Sequence, residues 1–167
     1  MKDLLVWKLW DEAHLPEYGT EWAACFDLKA SLRDGDEVKV FDGRNKDHKI
    51  TVADKKVTIF PYERMLVPTG LIFDLDEGYS LRIHPRSGLS LKNGIVLANC
   101  EGVVDADYVN QSYVMLHNVS KEPFDISDGM RISQGEVVEV NQSRFVLSDS
   151  EPEKKSSRSG GFGSTGA

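Results

Sequence analysis

The chain has only two cysteines in 167 residues, Cys25 and Cys100, and neither stands in a C-x-x-C. No zinc or dithiol framework follows from such spacing, and reduced, buried thiols are the expectation. The four histidines are scattered and form no H-E-x-x-H, so a metal site built on imidazoles is not expected. No apolar run approaches the roughly 20 residues that cross a bilayer. The opening stretch MKDLLVWKLWDEAH is broken by charges and lacks the apolar core of a secretory signal, which makes a cytoplasmic location the expectation. Positive charge is scarce too: 20 Lys and Arg stand against 27 Asp and Glu, for a net charge of −7. Bulk attraction to nucleic acid or to anionic membrane is thereby excluded. Any bound phosphate must be held by a few local cations and backbone N–H groups.

Helix signals are equally thin. SGLSLKNG reads as about two turns, with Ser87 or Ser90 near the start and Gly94 as the stop. What fills the chain instead is period-two alternation. It runs through residues 38–41, 48–53, 55–60, 65–75, 79–85, 112–119, 131–140 and 144–148, with Gly, Asp, Asn and Pro between. Short strands spaced this way predict an all-β sandwich or closed β structure over residues 1–150. Residues 33–58 are dense in charge and read as a β-hairpin insertion, turning near Asp54 and Lys55 on the surface; the rival reading is a partner-binding flap. From Glu151 the composition shifts to charge and then to Gly and Ser, so residues 151–167 read as a flexible arm. A lone aromatic, Phe162, interrupts the glycines, and a purely solvating tail has no use for it.

Four further segments carry residue types suited to chemistry. In HPRSGLS, Pro85 favours an extended approach at His84. Arg86 offers a planar fork of donors, Ser87 a hydroxyl, and Gly88 a backbone with no Cβ in an anion's way. In EGVVDADY, Val103 and Val104 lead into Asp105, whose carboxylate at an apolar edge would be a better base than an exposed one. Tyr108 adds a flat ring. A hairpin with solvated acids explains the same residues. In DGMRISQ, Gln134 ends an Arg131–Ser133 strand that follows an Asp-Gly turn. In AACFDLKA, Asp27 is a single acid among apolar residues and could equally serve as a capping or turn aspartate.

Taken in order, AACFDLKA, PRSGLS, NCEGVVDADY, GMRISQ and GGFGSTG resemble the five motifs of the homotrimeric dUTPases. LVPTGL and LKNGI fit the flanks of the second motif. The resemblance covers nearly the whole chain outside residues 33–58. It implies an all-β jelly-roll-like, distorted barrel with at most one short helix. It also implies a homotrimer whose active sites are shared between chains, and Mg²⁺-assisted hydrolysis of dUTP to dUMP and pyrophosphate. Such an activity clears dUTP from the nucleotide pool and supplies dUMP for thymidylate synthesis. By that likeness Asp105 is the general base that activates water, and Asp27 holds the metal through water. Arg86, Ser87, Gly88 and Gln134 contact phosphate oxygens. Asn99, Val103, Val104 and Tyr108 form the hairpin that reads uracil and packs the sugar. Phe162 stacks on the base, while Gly163, Ser164 and Arg158 belong to the arm that closes over the phosphates.

Departures from the family pattern are visible. Cys25-Phe26 replaces Gly-Tyr before Asp27. Asn110 stands where a Gly usually follows the Tyr; asparagine tolerates left-handed backbone. The arm's arginine normally lies five residues before the Phe, where this chain has Ser157, and Arg158 is one closer. Two other functions fit the same scaffold. A dCTP deaminase would need a glutamate serving the C4 amine, and none is evident. A regulatory binding protein would use residues 33–58.

Overall fold

A computed structural model describes residues 3–157 and residue 160. Fourteen strands and one helix follow in chain order. They are β1 (Leu5–Lys8), β2 (Glu17–Tyr18), β3 (Phe26–Lys29), β4 (Glu37–Phe41), β5 (Asp47–Thr51), β6 (Lys56–Ile59) and β7 (Arg64–Pro68). Next come β8 (Leu71–Asp74), β9 (Tyr79–His84), α1 (Ser87–Asn93), β10 (Ile95–Leu97), β11 (Gly102–Asp105), β12 (Tyr113–Asn118), β13 (Phe124–Ser127) and β14 (Arg131–Glu139). Two five-stranded sheets, ordered β10-β12-β7-β4-β5 and β11-β9-β14-β3-β2, form the body. The pairs β1-β8 and β13-β6 flank them. Every pairing is antiparallel, as alternating strands joined by short turns require. The result is the expected jelly roll.

The core follows from that alternation. Met65 and Val67 on β7, Val38 and Val40 on β4, and Val114 and Leu116 on β12 point inward from one sheet. Leu28, Leu81, Ile83 and Val104 point inward from the other, and all ten join one apolar cluster. Fully burying such a side chain is worth about 1.5–3 kcal/mol.

Residues 33–58 do not stand off this body. β4 is an interior strand between β7 and β5, and Val38, Val40, Val52 and Val57 are core residues. The charges sit on the outward positions and hide the buried period-two pattern. The main hairpin is β4–β5, closed by the Asp42 carboxylate accepting from the N–H groups of Arg44 and Lys46. Both bonds favour the ionised form and hold the Asp42 carboxyl below its ordinary value. Asp54 and Lys55 do form a turn, both with φ of 53°, but the strands it joins run to different sheets.

Two expected strands need correction. Residues 65–75 are two strands, β7 and β8, broken at Gly70, whose φ is 70°. Residues 144–148 form no strand; Phe145 and Leu147 alternate but are almost fully exposed, with no sheet edge beside them to supply hydrogen bonds. Cys100 is exposed rather than buried, while Cys25 is half-buried, and both are free thiols.

Candidate functional site

The second motif is shaped by the end of β9. Pro85 keeps His84 extended, and Arg86 is extended as well, with φ −94° and ψ 126°. α1 begins at Ser87 and stops at Gly94, whose left-handed φ of 65° a side chain would strain. Arg86, not a serine, occupies the cap position, and no side chain caps the first turn. The exposed N–H groups there are free to meet an anion.

Arg86 turns back toward β3. Its Nε lies 3.2 Å from Asp27 Oδ1, and its Nη1 donates to the carbonyl of Arg131 at 2.7 Å. Arg131 Nη1 donates to Asp27 Oδ2 at 3.1 Å. The Asp27 side chain is 16% exposed and bridges two guanidinium groups, so it is neither a cap nor a turn residue. A bulge between Arg131 and Ser133 in β14 accompanies this geometry. It brings Gln134 opposite both Asp27 and His84, where the Gln134 amide donates to the Pro85 carbonyl at 3.0 Å. Asp27, Arg86 and Gln134, three of the residues singled out in the sequence, therefore meet at one corner of the sheet, with Ser87 and Gly88 exposed beside them.

Sequence reasoning missed Arg131, which completes this corner. Its signal was its place at the start of the fourth motif, directly after an Asp-Gly turn. It also missed a polar row behind the corner. His84 lies 3.1 Å from Glu136 and 3.7 Å from Glu101, and Arg82 lies 3.2 Å from Glu101. Burial and the nearby Glu136 charge push the Cys25 thiol up, so it is a poor nucleophile.

Asp105 sits elsewhere. β11 pairs with β9 so that Asp105 faces Ser80, whereas Gln134 faces His84. Four residues of extended strand separate those positions, about 13 Å at the rise of a β-strand. The chain brings Asp105 together with Tyr108, not with Arg86. The Asp105 carbonyl accepts from the Tyr108 N–H at 3.1 Å, and the Tyr108 hydroxyl donates to the Gln111 carbonyl at 3.0 Å, which fixes the ring. Asn110 is not left-handed, so this turn has no need of the glycine. Val104 is buried and Val103 half-exposed, as alternation demands. Asn99 precedes the left-handed Cys100 where the chain crosses from β10 to β11, and its carbonyl accepts from the Glu101 N–H. Asp105 itself is exposed on the wall of a cleft of about 710 Å³, shared with Glu77, Tyr79, Asp107 and Gln142. Arg158, Phe162, Gly163 and Ser164 lie outside the described residues.

Among the described residues no group of three or more His, Cys, Asp or Glu could cage a metal ion. Among them, the Asp27 carboxylate has room for a water-mediated contact only. Each of its oxygens accepts one guanidinium contact, which leaves lone pairs for a metal-bound water but not the multiple ligands of direct coordination.

Fold and corner together define the class: a jelly-roll protein with an anion-suited site built from three strand ends. The model of the dUTPase family matches residues 51–166. The deoxyuridine 5'-triphosphate nucleotidohydrolase of Rhizobium rhizogenes is 41% identical over 152 residues, covering 91% of this chain and 85% of its own. That of Chlamydia caviae is 34% identical and covers 97% of each. A solved structure of a Staphylococcus bacteriophage 80alpha dUTPase variant with dUpNHpp has the same fold, with TM-score 0.78 over the full length of both chains at 18% identity. The chain belongs to the dUTPase family.

Proposed function

We propose that the protein is a dUTP diphosphatase that hydrolyses dUTP to dUMP and pyrophosphate in sites shared between the chains of a trimer. The separation of Asp105 from the Asp27–Arg86–Gln134 corner carries the shared-site reading. Within one chain the two lie too far apart to serve the same phosphoryl group. A neighbour's corner facing Asp105 removes the difficulty, and a cyclic trimer does this three times over.

Arg86 and Gln134 bind phosphate oxygens, with Ser87 and Gly88 adding a hydroxyl and an approachable backbone. Asp27 orients both arginines and would hold Mg²⁺ through water. When bound, Mg²⁺ neutralises triphosphate charge. From the facing chain, Asp105 takes a proton from the water that attacks the α-phosphorus. Such a positioned base is typically worth about 10²–10⁴-fold in rate. The fixed Tyr108 ring packs on the sugar, and backbone groups from Asn99 to Val104 read uracil. Cytosine inverts the donor and acceptor at positions 3 and 4, so a fixed pattern rejects it. The arm carrying Arg158, Phe162, Gly163 and Ser164 covers the nucleotide and excludes water. A protein partner for residues 33–58 could add a strand at the exposed β5 edge. Its exposed charges, Asp47 and Lys49, discourage strand addition.

The test is pyrophosphate release from dUTP, dTTP, dCTP and UTP. Strong preference for dUTP is expected. Ammonia release from dCTP would instead mark a deaminase, and no turnover would leave a binding role.

A further inference from the structure

We propose that Ser80 is a positioning residue for Asp105, its hydroxyl donating to the carboxylate and holding it in the orientation that activates water. This rests on the reading of Asp105 as the base. Ser80 and Asp105 are direct partners across the β9–β11 ladder. On β9, Leu81 and Ile83 face the core, and on β11 so do Gly102 and Val104. Ser80 and Asp105 therefore share the opposite face. Directly opposed residues have Cβ atoms about 4.5–5.5 Å apart, a gap that a serine–aspartate side-chain hydrogen bond can span.

Ser80 is 1% exposed, and its hydroxyl is buried without a hydrogen-bond partner. An unpaired buried hydroxyl costs the fold free energy that an alanine there would not. Ser112 and Ser133 share that condition, but Ser112 adjoins the Gly70 break and Ser133 the β14 bulge, away from Asp105. On its other side Ser80 faces the apolar Val138 of β14. We assign the cross-strand carboxylate as its acceptor. Other charges near Asp105 are Glu77 and Asp107 in the cleft, Arg82 next on the same face of β9, and Glu136 and Glu139 on β14. Four of these five are acidic, so a neutral donor that favours ionised Asp105 is chemically significant.

The experiment begins with the unaltered protein. If it releases no pyrophosphate from dUTP, the reading of Asp105 falls first and this inference with it. If it does, Ser80→Ala is expected to lower kcat by about tenfold, the scale of a hydrogen bond to a charged group. KM should stay within about twofold, and the acid limb of the kcat–pH profile should move up by about one unit. The melting temperature should fall by no more than the few degrees that one lost hydrogen bond costs. Ser80→Thr should restore the limb, and Ser80→Ala added to Asp105→Asn should cost nothing more. An unmoved acid limb with normal kcat overturns the proposal. So does a loss of rate that Ser80→Thr fails to reverse, or one that persists in full on top of Asp105→Asn.

Discussion

Two crippled chains should repair each other. Asp105→Asn removes the proposed base and Arg86→Ala removes a phosphate contact, and each alone should fall at least about a hundredfold in kcat. The roughly 13 Å of β9 between the two positions means that a working site draws Asp105 from one chain and Arg86 from the next. In a ring of three holding both kinds of chain, consider each step from a chain to its neighbour. One step of three joins an intact Asp105 to an intact Arg86, whichever variant is in the majority. Mixed trimers should therefore recover about one-third of normal turnover. Co-expression of the variants with different tags, tandem purification of species bearing both, and a pyrophosphate-release assay measure this directly. Activity remaining at the floor of the single variants would refute the shared site, as would an active monomer in sedimentation.

Asp105→Asn alone should keep dUTP binding close to normal while kcat falls at least about a hundredfold, read by calorimetry beside the rate assay. Truncation before Ser157 should cut turnover heavily and leave the melting temperature unchanged, because neither Ser157 nor Gly160, the described residues it removes, belongs to the core. Gly135→Ala should destabilise by about 1–3 kcal/mol in denaturant titration. Its Cβ would lie 2.8 Å from the Phe26 ring and 3.0 Å from Leu81, both core residues that cannot move aside. Burial, helped by Arg64, holds the His117 imidazole below its ordinary 6.5. A depressed folded value means that the unfolded chain takes up the proton first as pH falls. Stability should accordingly be full above about pH 6.5 and decline below it, and His117→Gln should flatten that slope in melts from pH 8 to 5.

The strands with clean alternation were legible because one face is buried and the other wet. β4 was legible as a strand, but its place in the interior was not, because Glu37, Lys39 and their neighbours supply most of the local charge. The 144–148 segment shows the reverse error: Phe145 and Leu147 alternate without any sheet to receive them. At the site, Asp27, Arg86 and Gln134 were readable as motif members, yet their convergence depends on β3, β9 and β14 lying side by side, which no spacing along the chain reveals. Arg131 needed the bulge to be recognised. Ser80 carried no motif at all, and its interest lies wholly in the register that sets it across from Asp105.

Asp27 sits between two guanidinium groups that would otherwise repel each other. Under the proposed function, a corner so arranged is a ready seat for a phosphate-like dianion. Inorganic phosphate, sulfate and the pyrophosphate leaving group all carry the oxygens it is shaped to take. Assay buffers built on those ions should compete with the nucleotide, and the rate should sag as product accumulates.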